Sequence, residues 1–365
     1  MISLNSPAFG NDVEELVLRV LRSGHLAQGP MVERFEAACA DMAGTSHAVA
    51  MSNGTVTLEA SLEILGVGPG DEVITSPLTF AATLNSILRT GATARFVDID
   101  ATGTLDPRAV ASAVGPRTRA LVPVHLYGLP ADMPALADIA ERNRVDVVED
   151  AAQAHGASCA GRRVGSYGLG SFSFYATKNI SAGEGGVVTT DHADQARRLR
   201  LLRNQGMVER YHYEMVGRNL RMTDLQAAVA IPALEKLDEI NTVRRSNAGL
   251  LSSLLAGTDL ELPRVPADRE HVWHLYTILL PGGHDREVFV TSMERSAVQA
   301  GVFYPHLVWD YDAYRGSAEI EEGDTPTAAD WARRCVSLPV HHRLSHDDVE
   351  RVAEAARAAQ TASAP

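Results

Sequence analysis

Two residues in this chain could do chemistry together. Asp150 follows the apolar run Val145 to Glu149, and Lys178 follows the run Ser171 to Tyr175 among small and hydroxyl residues. Open α/β sheets place ligands outside the carboxyl ends of their strands, where both residues would stand. Taken singly, each reads as ordinary: an Asp ending a strand and a solvated loop lysine. Taken together, a lysine able to form a Schiff base and a carboxylate able to face a pyridinium nitrogen are what pyridoxal 5′-phosphate (PLP) needs.

Strands and helices must hold that pair in place. Short apolar runs recur at Ala48 to Met51, Glu72 to Thr75, Ala94 to Val97, Ala120 to Val124, Val145 to Glu149, Ser171 to Tyr175 and Gly186 to Thr190. Bounded by Gly, Pro and Asp, they suit buried strands of a largely parallel sheet with helical crossovers. Helical periodicity marks Asn11 to Ser23 and Val32 to Ala43. The pattern changes near Pro232, after which Leu234 to Ser253 reads as one long connecting helix and another starts at His346. The expected fold is α/β, with a large domain (1–235) built on a mostly parallel central sheet flanked by helices and a smaller α+β domain (236–365). The Ala-rich tail from 355 to 365 is expected to fray.

Several segments carry a family resemblance. Val147 to Val188 contains Val-Val-Glu-Asp-Ala-Ala-Gln-Ala-His-Gly, Gly-Ser-Phe-Ser-Phe-Tyr-Ala-Thr-Lys-Asn-Ile and Gly-Glu-Gly-Gly-Val-Val. It resembles the signature of the DegT-type sugar aminotransferases, fold-type I PLP enzymes acting on nucleotide-linked keto sugars. Ser-Gly-His-Leu-Ala-Gln-Gly-Pro at 23–30, Met-Ser-Asn-Gly-Thr at 51–55 and Pro-Leu-Thr-Phe at 77–80 are similar to further family segments. So are His-Leu-Tyr-Gly at 125–128, Arg-Asn-Gln-Gly-Met at 203–207 and Gly-Arg-Asn-Leu-Arg-Met at 217–222. The likeness spans about residues 3 to 230 and departs at Val302 to His306 and at Ser337 to His342, where the family meets its substrate.

The resemblance implies a role for each residue. Lys178 would hold the cofactor covalently and later shuttle a proton, and Asp150 would keep the ring nitrogen protonated. Gln153 would hydrogen-bond the ring's phenolic oxygen, and Phe80 would stack on the ring. The Gly54 and Thr55 amides, at the start of a helical pattern, would meet the phosphate with help from Ser173. Ser52 or Asn53 could equally be a plain helix cap. Asn219 would reach the phosphate of a neighbouring subunit, so a homodimer with shared sites is expected. Arg221, Tyr304 and His306 are substrate candidates, although Arg218 and Arg221 could instead be structural. His155 reads as a core or supporting histidine.

Other classes fare worse. Acidic residues outnumber basic ones 46 to 33, for a net charge of −13, which argues against a nucleic-acid partner. Three scattered cysteines support neither a disulfide framework nor a thiolate zinc site and are expected to be buried. His341-His342 lacks metal-ligand spacing, so no metal is implied. Gly165 to Gly170 has loose dinucleotide-type spacing but leads into a strand rather than opening a helix. There is no secretory signal pattern and no run near the roughly 18 apolar residues that span a bilayer, so a cytoplasmic protein is expected. The implied reaction takes the amine of L-glutamate or L-glutamine to a nucleotide-linked keto sugar, best a 4-keto-6-deoxy hexose, in amino-sugar biosynthesis. A keto-inositol or 3-keto sugar acceptor and a PLP-binding regulatory protein are the alternatives. A sugar dehydratase of the same fold carries His in place of the lysine, and Lys178 argues against it.

Overall fold

The computed structural model describes residues 1–7 and 9–365. Its main sheet has eight strands. They are β1 (His47–Met51), β2 (Glu72–Thr75), β3 (Thr93–Phe96), β4 (Thr118–Val122), β5 (Asp146–Asp150), β6 (Leu169–Ser173), β7 (Gly186–Thr190) and, after the small-sheet strand β8 (Tyr276–Leu279), β9 (Ile320–Glu321). The spatial order is β1-β7-β6-β5-β4-β2-β3-β9. The pairs β5–β6, β5–β4, β4–β2, β2–β3 and β3–β9 are parallel, whereas β7 runs antiparallel to β6 and β1. The expected mostly parallel α/β sheet is present. Each expected strand lies within about two residues of its observed bounds, the normal uncertainty of element ends.

Register brings the site together. Met51 pairs with Gly186, Gly186 with Ser173, and Asp150 with Ser171, so these strand ends lie along one edge of the sheet. Strands β5, β6 and β7 are buried along nearly their whole length, which is why they read as unbroken apolar runs. The glycine-rich turn before β6 has a packing role. A Cβ on Gly168 would fall 2.2 Å from the Val147 carbonyl oxygen of β5.

The helices are bounded by recognisable signals. Helix α1 (Asn11–Ser23) buries Val13, Leu16 and Val20 and ends at Gly24, whose φ of 74° is left-handed. Helix α2 (Pro30–Ala43) begins on Pro30 and also ends at a left-handed glycine, Gly44. Helix α3 (Gly54–Ile64) is capped by Asn53, and α4 (Ala81–Leu88) follows Phe80. Helices α5 (Pro107–Ala113), α6 (Met133–Asn143) and α7 (Ala193–Arg203) complete the layers around the sheet.

The expected long connecting helix, 234–253, is present and begins three residues later, directly behind another helix. Helix α8 (Asp224–Glu235) starts at a capping box on Thr223 and ends near Lys236, and α9 (Leu237–Leu255) follows at once. Lys236 has φ −105° and ψ 15°, outside helical values, and Pro232 lies in the preceding turn. Beyond α9, β8 pairs with β10 (Cys335–Leu338) and packs with α10 (Arg286–Arg295) and α12 (His346–Ser363); α11 (Pro326–Arg334) leads into β10. The expected fraying of the tail is wrong. Helix α12 continues to Ser363 because Ala355, Ala356 and Ala359 are buried against the cluster that contains Leu251, Tyr276 and Phe289. Small side chains there permit close helix packing rather than signalling a loose end. Cys39, Cys159 and Cys335 are free and buried, as expected.

Candidate active site

Asp150 ends β5 and is 6% exposed. Its Oδ2 accepts a 2.7 Å hydrogen bond from the Thr83 hydroxyl, and its Oδ1 accepts one from the Ala152 amide at 3.3 Å. Thr83 is in turn 2.8 Å from the Thr79 hydroxyl, one turn earlier. The carboxylate is therefore fixed in rotation and faces a cavity of about 790 Å³ that it shares with Lys178, Gln153, Ser173 and Phe80.

Beneath Asp150 lies a fully buried pair. Glu149 Oε2 accepts from His125 Nε2 at 3.0 Å and from the Gly165 amide, while Oε1 accepts from the Tyr167 amide. His125 Nδ1 accepts from the Ala131 amide, so its one proton lies on Nε2 and a neutral ring satisfies both nitrogens. This network ties the 125–131 loop and the 165–167 turn to β5. The same loop holds Tyr127 at φ 60°, a strained backbone for a non-glycine residue. Its amide donates 2.7 Å to Gln153 Oε1. With its oxygen occupied, Gln153 must present its NH2 group to the cavity, where Nε2 donates to the Tyr304 hydroxyl at 3.3 Å. A donor so placed suits a phenolic oxygen.

Lys178 stands in the turn after β6, with its amide bonded to the Tyr175 carbonyl at 2.9 Å. Burial lowers its amine to about 8, and the Asp150 charge pulls the other way. Two histidines lie near it. His155 is fully buried against Phe172 and Phe174, with no hydrogen-bond partner on either ring nitrogen. Burial, then the Lys178 charge, takes it down to about 3. It is thus a neutral core histidine, as the sequence suggested. His274 lines the cavity, bonds Asn179 through Nδ1 at 3.2 Å, and is held well below the ordinary histidine value by burial and by Lys178.

The phosphate end requires a correction. Asn53 Oδ1 accepts from the Thr55 and Val56 amides at 3.1 and 3.0 Å, so the Thr55 amide is already used by the cap. What remains toward an anion is the Gly54 amide, the Thr55 hydroxyl and Ser173 Oγ, all on cavity residues. Gly54 is required here: a Cβ would lie 2.6 Å from that of Ser173. That close approach brings the helix N-terminus against the end of β6. The donors, the acceptor-only carboxylate and the oriented amide fit PLP.

Phe80 is 58% exposed and forms the opposite wall, its ring 5.9 Å from that of Tyr304. Burial, then the Asp150 charge, raises the Tyr304 hydroxyl above the usual tyrosine value, so it stays protonated. Phe303 completes this wall, and its carbonyl accepts from the Tyr127 hydroxyl.

Four residues singled out from the sequence lie apart from the cavity. Asn219 is exposed, on a short bridge to Asn204. Arg221 donates to the Asn204 side chain at 2.8 Å, and Arg218 spans Glu59 and Glu63. His306 is exposed with its ring edge-on to Tyr311. Conversely, the sequence reading missed Thr79, Thr83, Tyr127 as a backbone donor, and His274. Only the pair Thr79 and Thr83, four apart and just before and within a helix, left a local signal.

Among the described residues no His, Cys, Asp and Glu cluster could hold a metal, and no helix is long and apolar enough to cross a membrane. The model of the DegT/DnrJ/EryC1/StrS aminotransferase family matches residues 7–357. The chain is 41% identical over 350 residues to the dTDP-3-amino-3,4,6-trideoxy-α-D-glucose transaminase of Streptomyces venezuelae, covering 95% of this chain and 91% of that one. It is 36% identical to the GDP-perosamine synthase of Caulobacter vibrioides, covering 96% of each. Its fold superimposes, with a TM-score of 0.92 and 25% identity over 98% of both chains, on the PLP form of a putative sugar aminotransferase from Streptococcus pneumoniae. With Lys178, Asp150 and Gln153 around one cavity and the family match running from near one end to the other, the chain belongs to the DegT/DnrJ/EryC1/StrS aminotransferase family and is a PLP-dependent aminotransferase.

Proposed function

We propose that this enzyme moves the amine of L-glutamate or L-glutamine to a nucleotide-linked keto sugar, best a 4-keto-6-deoxy hexose, in the cytoplasm. The observation that carries the reading is the cavity itself. Beyond Asp150, Gln153 and Lys178 it continues to a wall of Phe80, Phe303 and Tyr304. Aromatic faces with one fixed hydroxyl suit a sugar ring that has both apolar C–H faces and polar edges. The nucleotide sugars named for the two relatives support the same class.

In this reading each side chain has one task. Bound PLP supplies an electron sink that lets a bond to hydrogen break at the amine-bearing carbon. Asp150 holds the proton on the ring nitrogen, and Gln153 donates to the phenolic oxygen. The Gly54 amide and the Thr55 and Ser173 hydroxyls bind phosphate at the helix N-terminus. Lys178 Nζ would take the proton from the amine-bearing carbon and return it to the carbon on the other side of the nitrogen, two bonds away, which requires a neutral amine near working pH.

A second reading places the keto group at C3, supported by the 3-amino product in the name of the 41% identical relative. A panel of nucleotide-linked 4-keto and 3-keto sugars and keto-inositols, run with each donor, decides. Fastest turnover of a 4-keto-6-deoxy sugar is expected. A preference for 3-keto sugars would replace it with the second reading, and turnover of keto-inositols alone would overturn both.

Asn219 motivates a shared site. It is exposed and away from the cavity of its own chain, and the neighbouring hairpin exposes Val208, Tyr211, Tyr213 and Val216. We propose a homodimer in which Asn219 reaches the partner's phosphate site. Mixing inactive Lys178→Ala subunits with Asn219→Ala subunits should restore up to about a quarter of wild-type turnover, because one site in the mixed dimer then has both groups intact. Absence of rescue in verified mixed dimers would sink the shared site.

A further inference from the structure

Lys178 borders two cavities. The second, of about 360 Å³, lies between the N-terminal segment, the 176–181 turn and helices α8 and α9. At its inner end stands Arg244, 3% exposed. Its Nη1 donates to the Trp273 carbonyl at 2.8 Å, and its Nε has no partner. Among the described residues no carboxylate forms an ion pair with it. A buried guanidinium without a counter-ion is costly, since desolvation is offset only by a paired anion or enough hydrogen bonds. Burial accordingly lowers this arginine to about 9, yet it remains cationic at neutral pH.

The other groups around this cavity do not neutralise it. Lys236 is bound to Asp12 at 2.6 Å, and Glu239 is exposed. His342, partly buried with an unpartnered Nδ1, is held to about 4, chiefly by burial and then by Arg244, so it stays neutral. Lys178 and Arg244 therefore line one half-open cavity, and no buried acid among the described residues lines it with them. Both charges also act on His155 and His274, which places them in one electrostatic neighbourhood.

We propose that Arg244 binds the carboxylate of the amino-acid donor, which enters through this smaller cavity while the sugar acceptor uses the larger one. The assignment rests on the aminotransfer reading above. It deepens that reading by giving the donor its own anchor. The Nη end of the guanidinium, where only Nη1 has a protein partner, matches a carboxylate, and the donor's amine would then point along the cavity to Lys178.

The test uses PLP-loaded enzyme, L-glutamate as donor and glutarate as an amine-free probe, with no acceptor sugar. In wild type, L-glutamate should bleach the cofactor absorbance with a saturable rate, and glutarate should compete and raise the melting temperature. In Arg244→Gln the half-saturating glutamate concentration should rise at least tenfold while the limiting rate changes less than threefold, and the glutarate-induced melting shift should vanish. Arg244→Lys keeps the charge without the fork and should show a smaller rise, severalfold, and it carries the test if the Gln variant does not fold. Unchanged half-saturation, or equal glutarate shifts in variant and wild type, would overturn the assignment. Failure of wild type itself to react with glutamate and glutamine would instead overturn the donor in the proposed function.

Discussion

Lys178→Ala protein should be colourless after loading with PLP and washing, and borohydride should leave no cofactor attached to any peptide. Wild type should be yellow, and reduction should fix the cofactor to the peptide that contains Lys178. Turnover should fall by about 10⁴-fold or more, because in the proposed function one side chain supplies both the nucleophile and the proton carrier. The local environment explains why this lysine can serve. An amine of ordinary pKa is neutral in about one molecule in a thousand at pH 7.5. With the amine lowered to about 8 by burial, about a quarter is neutral at that pH. The sign gives a pH dependence that can be checked separately. Attachment of PLP to the apoprotein, followed by absorbance, should speed up as pH rises toward 8 and level off above it, since only the neutral amine attacks. A yellow, reducible Lys178→Ala protein would refute the role of Lys178, and a rate still climbing steeply to pH 10 would refute the lowered value.

What the sequence revealed of this site depended on distance along the chain. Asp150 and Lys178 follow apolar runs that form paired strands, and their flanks and spacing mark them, whereas Gln153 and Ser173 in the same segment are implied by the family resemblance alone. Thr83 could not be found that way. It meets Asp150 across 67 residues of chain, and nothing near residue 83 records that contact. The same holds for Tyr127, whose contribution is a backbone amide and not a side chain. Helix caps misled at one point. Asn53 reads as a possible cap, and its side-chain Oδ1 accepts from two amides, one of which, that of Thr55, the family resemblance assigns to the phosphate. The alanines of α12 show another limit. Poor hydrophobicity resembled a loose tail until the packing partners were visible. Arg244 lies on the buried face of α9 with Leu237, Ala248 and Leu251, beside the exposed Arg245, and nothing in the sequence tells the buried arginine from its neighbour.

Asp150→Asn tests charge rather than shape. The substitution preserves volume and changes only what the two terminal atoms can do. In the native site both oxygens act as acceptors, one from the Thr83 hydroxyl and one from the Ala152 amide. An asparagine can keep one of these bonds with its oxygen. Its NH2 group must then face the other donor or force a hydroxyl to turn, and the Thr79–Thr83 contact, in which either oxygen can donate, allows that turn. Folding should therefore survive, with a melting temperature close to wild type, and PLP should still bind through Lys178. Turnover should not survive. A neutral amide no longer favours a proton on the ring nitrogen, and losing a preorganised charge in a cavity costs on the order of 10²–10³-fold or more. Thr83→Val is the discriminating control. It removes one hydrogen bond and leaves the charge, so it should cost only about three- to tenfold, the equivalent of roughly 1 kcal/mol. If Asp150→Asn kept activity within a few fold, or if Thr83→Val were equally damaging, the carboxylate charge would not be what Asp150 contributes. The ordering of the two variants, not the loss in either alone, separates an electrostatic role from a merely structural one.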